Sequence, residues 1–253
     1  MTGFVYIALV IKIPERLQIT YHDNALGAGV HLLPMLGACA FGSFLGGLIS
    51  KKKNLTSETL IVGCVLQTLG IGMVYGFTKE DTALRLILGC TAIYGFGVGL
   101  CFAASTMIAA IESRQGDLAA AQGAVAQARV FGGALGLAIC TVVFNERLQR
   151  ALGPGSGSGV SERELELIHR SPMTVLSLPA GVQREVGAVY LAAFREQMLI
   201  MTAVAAASVV VGFASYRVKA TPVTDAMAYH KEFASRSNDT ELESTSSVRS
   251  LVR

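Results

Sequence analysis

The stretch that decides the fold is Gly27–Ile49, GAGVHLLPMLGACAFGSFLGGLI, 23 residues without one Asp, Glu, Lys or Arg. As a helix rising 1.5 Å per residue it would be about 35 Å long, and the hydrocarbon core of a bilayer is about 30 Å thick. Lipid offers no partner to a free N–H or C=O, so a run that crosses it must bond its own backbone as a helix. Four further runs read the same way: Thr59–Phe77, Leu86–Ile111, Leu118–Phe144 and Met198–Tyr216. A shorter one, residues 1–13, covers only about 18 Å from Thr2 to Ile13 and reads as the tail of a span whose beginning is missing. The expectation is an all-α polytopic membrane bundle of six spans, the first of them partial.

Composition agrees. Of 253 residues, 52% are hydrophobic and 15% charged, where a soluble domain carries about 25% charged. The charges gather between the runs. A net charge of +3 is too small to call for nucleic acid. The five cysteines (Cys39, Cys64, Cys90, Cys101, Cys140) fall inside apolar runs with no CxxC spacing, which reads as small core or lipid-facing residues. The four histidines are scattered, and no HExxH, nucleophile elbow or Walker loop occurs, so no enzyme or metal site and no cofactor are expected. Gly95-Phe-Gly-Val-Gly99 lies mid-span without a strand before it, which excludes a dinucleotide loop.

Lys51-Lys52-Lys53 has no acid near it until Glu58, and the positive-inside rule puts that loop in the cytoplasm. Alternation then places 13–26, 78–85 and the long segment 145–197 outside, and 112–117 and the tail 217–253 inside. Within 145–197, Gly153–Gly159 reads as a linker and Ser161 to Glu164 as a capping box; a further helix starts near Val182. The Ser/Thr-rich tail reads as disordered. The sequons at Asn54 and Asn238 fall on the cytoplasmic side and stay unmodified.

Inside the spans, glycines recur at four-residue spacing: Gly42/Gly46, Gly72/Gly76, Gly95/Gly99 and Gly132/Gly136. Such pairs let helix backbones approach closely. Pro34 should kink its span. Arg129 stands near the middle of the fifth span, where an arginine costs about 2.5–3.5 kcal/mol. Gln122, seven residues earlier, shares its face, and Gln127 lies nearby. Two readings stand: a substrate-path or gating residue, or a structural arginine that binds carbonyls. Gln67 and Tyr94 are further polar candidates for the path. No Asp or Glu falls inside a span as these runs are drawn.

Ala25–Gly29, Leu32-Leu-Pro-Met35, Phe41–Gly47, Ser50–Asn54 and Gln122–Gly133, in this order and spacing, resemble the C-terminal part of fungal-type fourteen-span drug:proton antiporters of the major facilitator superfamily. Ile13–Gln18 is similar to the segment after the ninth span there. The resemblance covers roughly residues 1–216. It implies the C-terminal six-helix half of a major facilitator fold. It implies proton-driven efflux of drugs, toxins or secondary metabolites through a plasma membrane, with the proton gradient as the energy source. Gly47 and Lys51–Lys53 would form a cytoplasmic gating loop. The expected partners are the bilayer, a small organic substrate, and a missing N-terminal half or another subunit that completes the cavity; most proton-coupling acids are expected in that other half. The alternative is a half-transporter remnant, inert or associating.

Overall fold

The structure is a computed structural model describing residues 1–21, 24–52, 55–78, 84–113, 117–152, 180–214 and 216. Seven helices occupy them and no strand does: α1 Thr2–Tyr21, α2 Ala25–Val30, α3 Leu33–Lys52, α4 Thr56–Phe77, α5 Leu84–Glu112, α6 Leu118–Leu152 and α7 Ala180–Ala214. Five stretches are long and apolar enough to cross a membrane, the short α2 and α3 counting as one from Ala25 to Ser50. The chain is an integral membrane helical bundle.

Two groups of three helices make up the bundle. Helix α5 packs on α3 and α4, α1 packs on α6 and α7, and contacts of α4 with α7 and of α5 with α6 join the groups. The first group is closed by glycine. A side chain at Gly95 would collide with the Met35 carbonyl, one at Gly99 with the Cys39 carbonyl, and one at Gly42 with the Phe96 carbonyl. Ser43 on α3 donates to the Gly99 carbonyl at 3.1 Å, a bond that needs this proximity. In the second group Gly136 meets the Phe4 carbonyl and Gly132 lies 3.3 Å from the Phe4 nitrogen. Three of the four glycine pairs thus stand at helix crossings. The fourth does not: Gly76 faces open space, and Gly72 only approaches Thr202 at 3.7 Å. Gly63 and Gly70, outside any four-residue pair, do that work on α4 against Cys101 and Tyr94 of α5.

Pro34 breaks its span as expected. Helix α2 is capped at its start by Asn24, whose Oδ1 accepts from the Gly27 amide at 2.6 Å, and it ends at His31. Helix α3 begins at Leu33, which puts the proline in a first turn, where its missing N–H is tolerated. Pro14 behaves otherwise. The apolar run stopped before it, yet α1 continues through it to Tyr21 and, at about 30 Å, is long enough to span hydrocarbon. Two other helices outrun their apolar runs: α6 continues from Phe144 to Leu152, and α7 starts at Ala180, where a helix was expected near Val182, and runs on through the last span. Part of the segment read as outer loop is therefore helix, because a helix leaving lipid can go on in water. The linker Gly153–Gly159, the capping box at Ser161, Lys53, Asn54 and the tail 217–253 lie outside the described residues. All five cysteines are free and buried.

Gly99→Val should push α5 off α3 and destabilise the bundle by about 1–3 kcal/mol. Gly76→Val should change stability little. Thermal unfolding of the purified chain in detergent separates the two.

Candidate functional site

Helix α6 is the least covered of the long helices; only 22% of its apolar window is buried. Its polar residues nevertheless do not all face outward. The Arg129 guanidinium donates through Nη2 to the Ser105 hydroxyl at 2.6 Å and to the Phe102 carbonyl at 3.1 Å. It also lies over the Phe102 ring, 4.5 Å from the centroid. Two helical turns earlier, Gln122 Nε2 donates to the Thr106 carbonyl at 2.8 Å. Both contacts reach the same stretch of α5. Ser105 and Thr106 also donate to carbonyls of their own helix, so this turn of α5 gathers hydroxyls and carbonyls toward α6.

The geometry follows from helix pitch. Positions 122, 126 and 129 lie on one stripe of α6, and positions 102, 105 and 106 on one stripe of α5. Two stripes in register give a ladder of polar contacts across an apolar seam. Tyr6 of α1 extends it by packing edge-on to Phe102, with ring centroids 5.3 Å apart. The backbone of Arg129 is itself covered by Gly3 of α1. The arginine thus sits where α1, α5 and α6 meet, half-buried.

The other sequence candidates lie elsewhere. Gln127 is exposed on α6. Gln67 is fully buried and donates to Ser208 of α7 at 3.2 Å, tying α4 to α7; its Oε1 is buried without a hydrogen bond among the described residues. Tyr94 keeps 1% of its surface, packs against Gly70, and its hydroxyl likewise has no hydrogen bond among the described residues. Gly47 lies near the end of α3, facing Met107 of α5. Lys51 and Lys52 close α3; their side chains, and all of Lys53, lie outside the described residues. The structure therefore brings Arg129 and Gln122 together and leaves Gln127, Gln67 and Tyr94 apart from them.

Sequence reasoning missed Phe102, Ser105, Thr106 and Tyr6. A Phe-Ala-Ala-Ser-Thr run gives no signal until the arginine that reads it is placed. It also missed a charged cluster on α1. Lys12, Glu15 and Arg16 pack toward α6 and α7, where Lys12 and Arg16 are buried. Lys12 donates to Glu15 at 2.8 Å and lies 5.7 Å from the Phe144 ring centroid; Arg16 lies 4.7 Å from that of Phe194. So a carboxylate does stand inside the bundle, contrary to the expectation from the runs. Glu15 and Arg16 lie just past Ile13, where the apolar run ends, on a helix that continues to Tyr21. Between the C-terminal half of α6 and the middle of α7, Arg147 pairs with Glu196, its Nε donating at 2.6 Å, and Gln197 donates to the Cys140 carbonyl at 2.9 Å. Among the described residues no three His, Cys, Asp or Glu side chains gather as metal ligands would.

Comparison with known proteins places this geometry in a family setting. An MFS-type transporter of Fusarium mangiferae, FPY5, is 30% identical over 210 residues, 82% of this chain and 34% of its own length. A dehydrocurvularin exporter of Aspergillus terreus is 26% identical over 149 residues, 59% of this chain and 26% of its own. An uncharacterised MFS-type transporter of Schizosaccharomyces pombe is 25% identical over 225 residues, 86% of this chain and 34% of its own. The chain thus spans between a quarter and about a third of the length of these curated relatives. No family model matches the chain. No solved structure matches it significantly. The similarities support membership of the major facilitator superfamily, whose named relatives here are transporters rather than enzymes.

Arg129→Lys should not fully restore what Arg129→Met removes, because a compact ammonium has no planar face to lie over Phe102. A double-mutant cycle of Arg129→Met with Ser105→Ala, read by thermal unfolding, should give a coupling of about 1 kcal/mol.

Proposed function

We propose, from membership of the major facilitator superfamily, that this chain is the C-terminal six-helix half of an exporter of small organic molecules, drugs, toxins or secondary metabolites, driven by the proton gradient. The observation that carries the reading is the polar seam of Arg129 and Gln122 against Ser105, Thr106 and Phe102. An arginine in a membrane span is retained at an energetic cost, and it faces a bundle interior or an aqueous path. Here it is held by α5 and only half-buried. An organic substrate with a carbonyl, hydroxyl or aromatic face would meet donors and a ring there. Gln127, on the exposed side of the same helix, extends that surface toward a facing half or subunit. Gln67 and Tyr94, sealed inside the bundle, would act by holding the helices behind the path. Gly47 with Lys51–Lys53 would form the gate on the cytoplasmic side, with the tail beyond residue 216 in the same compartment and the bundle in the plasma membrane. The relatives called exporters support this direction of transport for the chain.

A second reading is a half that exports nothing alone and works, if at all, by association. In relatives of this architecture the site lies between two repeats that rock around it, and the exposed stripe of α6 would be one wall of such a site.

Expression in a host depleted of drug pumps distinguishes the two. On the first reading a fluorescent drug accumulates less, a protonophore abolishes the difference, and Arg129→Ala lowers efflux roughly tenfold, about 1.4 kcal/mol of activation free energy. Unchanged accumulation with a membrane-inserted chain supports the second. Efflux that survives Arg129→Ala unaltered removes the seam from the path.

A further inference from the structure

Helix α1 carries three charges within five residues, and the bundle covers them. Lys12 keeps 6% of its surface and Arg16 2%; the Glu15 side chain keeps 14%. Lys12 Nζ donates to Glu15 Oε2 at 2.8 Å, while Glu15 Oε1 is buried without a hydrogen bond among the described residues. The titratable and charged groups recorded around this carboxylate are Lys12 and Arg16 on its own helix, Cys140 on α6 and Tyr190 on α7. The remaining walls are rings: Phe144 beside Lys12 and packed edge-on to Tyr190, and Phe194 beside Arg16. The cluster is separate from the Arg129 seam, since it faces α6 and α7 rather than α5.

We propose that Glu15 is a proton-accepting carboxylate of the transport cycle, and that its ion pair with Lys12 is the element that protonation switches. This rests on the exporter reading above. While ionised, Glu15 balances Lys12 inside an aromatic wall. A proton taken from water onto the carboxylate neutralises it and breaks the pair. Lys12 keeps its own proton and is left as a covered cation without its counter-ion. Removing one partner of a buried pair is strongly destabilising, so α1 is driven to move until Lys12 reaches water or another acceptor. The helix has a place to give: Pro14 lies between the two partners and cannot donate to the carbonyl four residues back. A buried pair beside a helix weak point is a two-state element that a proton can bias.

The test uses the purified chain in lipid nanodiscs with dicyclohexylcarbodiimide, an apolar reagent that adds to protonated carboxyl groups, and mass spectrometry of the resulting peptides. The expected result is an adduct on Glu15 that grows as pH falls, is absent from Glu15→Gln and is retained by Glu15→Asp. Lys12→Met should raise the Glu15 adduct at a fixed, mildly acidic pH by roughly tenfold, the lower end of what one opposite charge does to a carboxyl group. If Glu15→Gln fails to fold, the pH dependence of the parent chain and the Lys12→Met comparison still decide. No adduct on Glu15 while other carboxyl groups react overturns the proposal, as does equal reaction with and without Lys12. The reaction needs no transport. Its failure therefore removes Glu15 from the cycle and leaves the exporter reading standing, whereas absent efflux with intact labelling removes the exporter reading.

Discussion

The approach of α5 to α3 is the contact on which the rest of the bundle depends. Gly95 and Gly99 bring the α5 backbone against the Met35 and Cys39 carbonyls, and Gly42 answers from α3 against Phe96. In lipid there is no hydrophobic gain from bringing two apolar helices together, because the tails are as apolar as the side chains. What remains is dispersion at short range and polar contacts between backbones, and both need the side chain removed. The Ser43 bond to the Gly99 carbonyl exists only because the backbones are this near. With α5 held this way, its next two turns present Phe102, Ser105 and Thr106 to α6.

The second group of helices is held by different means. Gly132, Gly133 and Gly136 of α6 receive Phe4 and Ile7 of α1 at one level. At another, where α6 and α7 run on past their apolar stretches, charge takes over: Lys12 with Glu15, Arg147 with Glu196, and the aromatic faces of Phe144, Tyr190 and Phe194. Ion pairs between exposed groups contribute little, so Arg147 with Glu196 contributes chiefly to register. The covered pair on α1 differs, since its partners cannot be separated without uncovering one of them.

The two polar centres of the bundle have opposite designs. The Arg129 seam is a fixed charge that is never deprotonated, held by neutral acceptors and a ring. It can recognise but not carry a proton. The α1 cluster pairs a titratable acid with a cation beside a proline. The two centres lie at different levels of the same two helices, α1 and α6, so a shift of one helix against the other would be felt at both.

The sequence by itself determined the bundle. Apolar runs about as long as a bilayer core is thick leave the backbone no choice but helix, and the glycine pairs and the Pro34 break were legible because they are local consequences of a missing side chain and a missing N–H. Arg129 and Gln122 were legible as a stripe because helix pitch is constant. The tertiary structure alone decided what they touch: Ser105, Thr106 and Phe102 have no distinguishing pattern until α5 is laid against α6. It alone decided which glycines matter, since Gly76 and Gly99 have the same spacing rule behind them but only Gly99 faces a backbone. It also reversed one reading. Glu15 and Arg16 fell in the stretch 13–26 read as an outer loop because hydropathy counts a charge as exposed, whereas the fold covers them and Lys12 with α6 and α7, elements more than a hundred residues away along the chain. Local sequence carries the cost of burying a charge; only the assembled bundle shows what offsets it.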